Sequence, residues 1–375
     1  MASDTRSIKA TCLCGRAAHT ITLPQAESPL KAYLCSCNSC RHVSGTLVYS
    51  VAFFPPVCRP SHELLAELNA FEFSKRTTLY HCKTCGTQVI GKCLSDPDKA
   101  DSAPSWCVTT GTLEEWDGEI EVQGFEHLAD SLDGGFADFL PILDGKHVER
   151  WPGQFRQGGE LPLEWRAHQT VDIKPSPTDR LHAHCKCNGV QFWIARPSER
   201  SKEARCPWLD VLGPSSNSRT DNPDNEAWWL RADGTTFLAG TCACNTCRLA
   251  SGTDIVEWAF IPTIDISLDA RGEVPFKRQF GTLKTYDSSK DVTRHFCSQC
   301  GAMVFFEHRG RPTLLDVAVG LFDAPEGARA ESWLEWWTER LSFRELAVPR
   351  ATNLVLGVEH GLRKFGKKGS ESTAP

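Results

Sequence analysis

Short apolar and β-branched runs recur along the whole chain, broken every few positions by Gly, Pro, Asn or Asp. Alternation and compact apolar blocks suit strands, whereas apolar positions three and four apart would suit helices. In the first half the pattern predicts strands over Lys9–Thr22, Leu30–Leu34, Thr46–Phe54, Phe71–Tyr80, Val89–Cys93 and Trp106–Thr112. Pro55-Pro56 ends the third, because proline cannot donate to a strand ladder. Ser44-Gly45 marks a turn. Helical periodicity is confined to Trp333–Arg344 and Leu354–Lys364. The sum is a mainly β, antiparallel protein with a few peripheral helices.

A length of 375 residues leaves room for two or three domains, each with its own core. KPSPTD at Lys174–Asp179, within the Gly-, Gln- and Pro-containing stretch Gln154–Pro177, is the best boundary. It divides the chain into residues 8–168, a linker at 169–180, residues 181–365 and a disordered tail at 366–375. Hydrophobic content of 41% and charged content of 23% are those of a globular protein. A net charge of −6 argues against a general nucleic-acid surface. No apolar run reaches membrane-spanning length, and MASDTRSIKATC has no apolar leader segment. A cytoplasmic or nuclear location is expected, without nucleic-acid or membrane partners.

The cysteines change the picture. Of eighteen, fourteen fall into one grammar used twice. Cys12-x-Cys14, Cys35-x-Cys37-x-x-Cys40 and Cys82-x-x-Cys85-Gly86 are followed by Cys185-x-Cys187, Cys242-x-Cys244-x-x-Cys247 and Cys297-x-x-Cys300-Gly301. In a reducing compartment such spacing favours metal ligation over disulfides, for which a C-x-C pair is poor geometry. Structural zinc takes four protein ligands, and catalytic zinc takes three and keeps one position open. Seven cysteines divide into four plus three. The outer pairs would close a four-thiolate site, and the central triplet would hold a second ion with an open face. That gives up to two Zn2+ per domain, with Cys35, Cys37, Cys40, Cys242, Cys244 and Cys247 as the expected catalytic positions.

Arg41 and Arg248 each follow the third central cysteine. A cation there would favour thiolates or receive a ligand's carboxylate, so both are candidate substrate-binding residues, with surface ion pairs as the alternative. His42 has Leu249 as its counterpart, and its plain reading is a hydrogen-bonding histidine. His81 and His295 sit at unequal offsets from the C-x-x-C pairs and are poor ligand candidates. Cys58, Cys93, Cys107 and Cys206 fall outside the grammar and read as small buried hydrophobes. The gap from Cys187 to Cys242 is far longer than that from Cys14 to Cys35, so the second half carries an insertion near Arg196–Ala232. It reads as a surface loop that covers the second site, leaving the first more accessible.

These motifs resemble the glutathione-dependent formaldehyde-activating enzyme family, which also contains centromere protein V. The resemblance rests on Cys12–Gly15, CSCNSCRHVSG at Cys35–Gly45, Cys82–Gly86 and TGTL at Thr110–Leu113. In the second half it rests on Cys185–Cys187, CACNTCRLASG at Cys242–Gly252, FCSQCG at Phe296–Gly301 and VGLF at Val319–Phe322. It implies two tandem zinc-binding β-tent domains. It also implies a carbon–sulfur lyase acting on thiol adducts such as S-(hydroxymethyl)glutathione, with glutathione as the small-molecule thiol partner. A non-catalytic zinc-stabilised interaction module related to centromere protein V is the alternative, as is a zinc-dependent chaperone-like binder.

Overall fold

The computed structural model describes residues 4–56, 58–95, 104–167, 175–213 and 220–372, with side chains to 367. Among them the fold is mainly β, in two halves built to one plan. Thr5–Ala10 pairs antiparallel with His19–Pro24, so the expected single strand Lys9–Thr22 is a hairpin with Cys12 and Cys14 in its connection. The turn wins because two sulfurs two residues apart can converge only where the chain leaves the alternating extended form. Phe71–Tyr80 likewise divides into Leu68–Glu72 and Thr77–Cys82, paired antiparallel.

The main sheet of the first half runs, in spatial order, Leu68–Glu72, Thr77–Cys82, Gln88–Leu94, Pro104–Thr109, Tyr49–Phe53, Leu30–Cys35 and Ile120–Glu126. Neighbours are antiparallel except the last pair, which sets Cys35 opposite Glu126. In the second half Thr236–Cys242 takes the place of Leu30–Cys35. It pairs antiparallel with Val256–Pro262 and parallel with Leu334–Trp336. Trp333–Arg344 is therefore a strand and turns instead of the expected helix. Its tryptophans at 333 and 336 are buried by sheet and core rather than by a helical face.

Four α-helices occur among the described residues: α1 Asn38–Ser44, α2 His62–Ala66, α3 Asn245–Ser251 and α4 Arg344–Ser372. The expected helix Leu354–Lys364 lies inside α4. That helix breaks at Ala351 (φ −144°, ψ 57°), two residues after Pro349, which has no N–H to give the preceding turn. Although last in sequence, α4 packs on the first half. A Cβ on Gly361 would stand 2.2 Å from the Phe139 carbonyl oxygen, and one on Gly357 would stand 2.6 Å from that of Ile142. Half of the linker 169–180, residues 169–174, lies outside the described residues. No helix among the described residues is long and apolar enough to cross a membrane.

The halves face each other through reciprocal contacts. Gly320 donates its N–H to Gly45 O at 3.1 Å, and Gly111 donates to Gly252 O at 3.0 Å. The loops after the C-x-x-C pairs also meet: Gly86 lies against Phe296, and Gly301 lies against His81. Gln88 Nε2 donates to Cys300 O at 2.7 Å and to Val43 O at 3.1 Å. One continuous core therefore includes apolar residues of both halves. Arg329 locks the far side, donating to Gly135 O at 2.7 Å and pairing with Asp138 at 3.0 Å.

Candidate metal centres

The hairpin connection brings Cys12 and Cys14 beside Cys82 and Cys85, and the second half repeats this with Cys185, Cys187, Cys297 and Cys300. In each set the four sulfurs lie within 4.8 Å of one another. The sulfurs are 3.5 Å apart in Cys12–Cys14 and Cys185–Cys187, 3.6 Å in Cys14–Cys82 and 3.5 Å in Cys187–Cys297. A disulfide needs about 2.05 Å. Four thiolates held tetrahedrally at about 2.3 Å from a metal stand about 3.8 Å apart, so the sulfurs are spaced for an ion. Backbone amides point at them: Ala17 N reaches Cys12 Sγ and Val190 N reaches Cys185 Sγ, both at 3.3 Å. The turn after Cys14 uses Gly15 at φ +79°, and Asn188 supplies φ +58° after Cys187. Asparagine tolerates that left-handed conformation, which explains the departure of the second motif from C-x-C-G.

The central cysteines form two three-sulfur groups, Cys35/Cys37/Cys40 and Cys242/Cys244/Cys247, each within 4.8 Å. The first member of each ends a strand, and the second caps a helix. Cys37 Sγ accepts from Cys40 N, and Cys244 Sγ accepts from Cys247 N, both at 3.3 Å. Hydrogen bonds from Cys35 and Cys40 hold the Cys37 thiol down to about 3, while Cys35 and Cys40 are pushed up. Cys244 is likewise held down by Cys242 and Cys247. Crowded sulfurs share protons in this way, and only a cation among them lets all ionise together. The residues present thus fit a thiophilic metal in all four places.

The two triplets differ in surroundings. Cys35 has Glu126 and His127 within 4.8 Å ligand-atom spacing, a group that sequence spacing gave no reason to expect. At the corresponding place beside Cys242 stands Ser342, followed by Phe343. The second triplet instead has Arg294, three residues before Cys297, where the first half has Leu79. Arg294 is 3% exposed. Its Nη1 donates to Cys247 Sγ at 3.4 Å, its Nη2 donates to Thr246 Oγ1 at 3.1 Å, and its guanidinium lies 4.6 Å from the Phe306 ring. A cavity of about 270 Å³ opens over this triplet. Trp208, Asp210 and Val211 of the insertion form one wall, so the insertion builds the site's enclosure.

Arg41 and Arg248 are buried and spend their donors across the interface. Arg41 Nη1 donates to Gly320 O at 3.1 Å and to Phe322 O, and Arg248 Nη1 donates to Gly111 O at 2.6 Å and Leu113 O at 3.2 Å. Their Nε groups bind Asn38 and Asn245 within the same helices, both at 2.9 Å. Burial lowers both to about 10, still fully cationic at neutral pH. The substrate-carboxylate expectation thus meets two guanidiniums occupied by the VGLF and TGTL turns. His42 stacks on His184 at 4.0 Å and donates from Nδ1 to its carbonyl at 2.7 Å. His81 bonds Gln299 O and His295 bonds Glu307, so neither joins a cysteine group. Cys58 and Cys206 are buried. Cys93 and Cys107 hydrogen-bond each other, which lowers Cys93 to about 7 and raises Cys107. Trp228 and Trp229 anchor a satellite core under the insertion.

Fold and sites together define a tandem β protein with a four-thiol and a three-thiol group in each half, all able to hold a metal ion. The family model for glutathione-dependent formaldehyde-activating enzyme matches residues 7–126 and again 228–340, more than half of the chain, and the protein belongs to that family. The second match begins after Cys185 and Cys187, which folding nevertheless brings to Cys297 and Cys300. Neither the curated proteins nor the solved structures contain a match.

Proposed function

We propose that the chain is a zinc-dependent carbon–sulfur lyase acting on thiol adducts of formaldehyde such as S-(hydroxymethyl)glutathione. The observation that carries this is the pair of three-sulfur groups, each with three cysteine ligands where a closed tetrahedral site takes four. Family membership supports the substrate chemistry. Zinc bound to three thiolates would supply a soft Lewis acid with muted acidity, suited to a substrate sulfur more than to activating water.

The chain's own residues set up that chemistry. Cys35, Cys37 and Cys40, with Cys242, Cys244 and Cys247, offer converging sulfurs on a rigid strand end and helix start. Against the lowering hydrogen bond of Cys242, Cys244 and burial push the Cys247 thiol up to about 11, and the charge of Arg294, which donates to the Cys247 sulfur, works against that rise. In the cleavage direction the adduct's carbon–sulfur bond breaks and its electron pair stays on sulfur. The hydroxyl oxygen passes its proton to solvent as the carbon–oxygen double bond forms, giving thiolate, formaldehyde and a proton. Around the second triplet the aromatic walls exclude water and hold formaldehyde beside the sulfur in the formation direction.

The test follows turnover of S-(hydroxymethyl)glutathione by zinc-loaded protein against the uncatalysed rate, then in the Cys37→Ser/Cys244→Ser double variant. Acceleration that disappears in the double variant is expected. Activity undiminished by both substitutions would reject the open-centre mechanism, and no acceleration by the native protein would reject the substrate.

A further inference from the structure

The two triplets stand on equivalent strands, so the walls around them can be compared position by position. Two residues before the first central cysteine, Gly240 lies opposite Trp258 in the second half, and Tyr33 lies opposite Val51 in the first. Arg294 faces Phe306, and Leu79 faces Gly91. The next strand over brings Asp316 beside Phe306, and Cys107 beside Gly91. Around its triplet the second half therefore has Trp258 for Val51, Phe306 for Gly91, Arg294 for Leu79 and Asp316 for Cys107, and it clears room with Gly240 where the first half has Tyr33. The insertion adds Trp208, which the first half lacks.

The resulting cavity has five aromatic rings in its lining: Trp208, Trp258, Phe260, Phe306 and Phe343. Its charged groups already have partners. Arg311 pairs with Asp316 at 2.7 Å and with Asp210 at 3.4 Å. Arg340 donates to Gly213 O at 2.6 Å and Asp210 O at 3.3 Å. Both terminal nitrogens of Arg294 are taken by Cys247 and Thr246, while its buried Nε, like those of Arg311 and Arg340, has no hydrogen-bond partner among the described residues. A single neutral oxygen would satisfy that donor. A ligand with two carboxylates and an ammonium would bury several charges in a cavity whose guanidinium ends are already engaged by sulfur, hydroxyl, carboxylate and backbone carbonyls, which is costly. The volume, about 270 Å³, is below the usual range of about 300–1,000 Å³ for ligand pockets.

We propose that the second-half centre is the substrate site for a compact thiol with an aromatic or apolar body, bound as its hydroxymethyl adduct. The sulfur sits at the Cys242/Cys244/Cys247 group, the adduct hydroxyl at Arg294 Nε, and the apolar body among the rings. This rests on the reading of the triplet as an open, sulfur-binding metal centre. It gives the two halves different work: the first-half triplet, with Glu126 and His127 at hand, can fill its coordination from the protein, whereas Ser342 and Phe343 offer the second triplet no such ligand. Arg294 is a positioning residue in this scheme, acting on Cys247 and on the adduct oxygen.

The experiment uses full-length protein loaded with cobalt(II), whose visible absorption reports a change of ligand at a thiolate centre. Phenylmethanethiol and glutathione are titrated separately, in native protein and in Cys244→Ser, so that the second centre is read as the difference. The wall is then altered by Gly240→Leu, because a Cβ there meets nothing nearer than Val211 Cγ1 at 3.7 Å and the added side chain fills the cavity. Phe306→Ala, at a partly exposed ring, is the second wall variant. The expected result is a dissociation constant for phenylmethanethiol at least tenfold below that for glutathione at the Cys244-dependent signal. Gly240→Leu should weaken it at least tenfold with cobalt content and melting temperature kept, and Phe306→Ala should weaken it several-fold. Equal or tighter binding of glutathione at that signal, or phenylmethanethiol binding unmoved by both wall variants, would overturn the inference and leave the proposed function standing. A loaded centre whose spectrum answers neither thiol would overturn both.

Discussion

Gly320 and Gly45 lie so close that a Cβ on Gly320 would stand 2.3 Å from Thr46 N and 2.5 Å from Gly45 C, and their backbones share a hydrogen bond of 3.1 Å. Gly111 and Gly252 repeat the relationship with the halves exchanged. The TGTL and VGLF turns are therefore docking elements, each seated on the end of the other half's central helix.

Gly320→Ala should be strongly destabilising, by about 2–4 kcal/mol, because the obstruction is backbone with no flexible side chain to yield. Gly159→Ala, with nothing within 4 Å of its Cβ, should change stability by no more than about 0.5 kcal/mol. Thermal unfolding of the two variants checks this. Similar melting temperatures would mean that the halves do not need the close approach.

Arg41 and Arg248 should behave as structural cations. Arg41→Ala leaves the Gly320 and Phe322 carbonyls buried without their donor and should cost about 2–4 kcal/mol. Arg41→Lys should recover little, since one ammonium cannot span Asn38 and both carbonyls as the planar fork does. Thiol binding per folded molecule should be unchanged in either variant. A raised dissociation constant for a carboxylate-bearing thiol, with stability intact, would return Arg41 to the substrate site.

Metal content should reach up to four zinc ions per chain on protein purified without chelator. Cys12→Ser and Cys297→Ser break centres that join residues far apart in sequence, and zinc binding there contributes directly to folding. They should lower the melting temperature by ten degrees or more, whereas Cys37→Ser and Cys244→Ser should remove one ion each with a smaller drop. Elemental analysis and differential scanning calorimetry decide; equal losses in both groups would remove the distinction between closed and open centres.

Glu257 gives a pH dependence with a definite sign. It is fully buried, accepts from Leu47 N of the other half at 2.8 Å, and burial pushes its carboxyl up to about 8. Between its ordinary value of 4.5 and about 8 the unfolded chain ionises while the folded chain keeps its proton. Stability from this group is therefore fully present below about 4.5 and declines as pH rises toward 8. Glu257→Gln keeps an oxygen acceptor and cannot ionise, so its unfolding free energy relative to native should rise by about 1–3 kcal/mol from pH 5 to pH 8. Denaturant titrations at both pH values measure the difference, and parallel curves would show that Glu257 is ionised in the fold.

Local features can be read from the residues alone. The spacing of Cys12, Cys14, Cys82 and Cys85 places pairs of sulfurs on tight turns, and Cys37 and Cys40 share one helical turn, so the ligand grouping follows from chain geometry and valence. Strand content was legible too, because Leu30–Cys35 and Gln88–Leu94 carry their β character in their own side chains. Only the tertiary structure decided what depends on residues distant in sequence. Arg41 and Arg248 look alike whether they face a substrate or a neighbouring turn, and the interface alone distinguishes these. Trp333–Arg344 has an apolar spacing that fits a helix, yet burial beside Thr236–Cys242 makes part of it a strand. Arg294 lies outside every cysteine motif, 47 positions from Cys247. A strand register brings it to that sulfur, and register is set by the packing of whole faces rather than by any local signal.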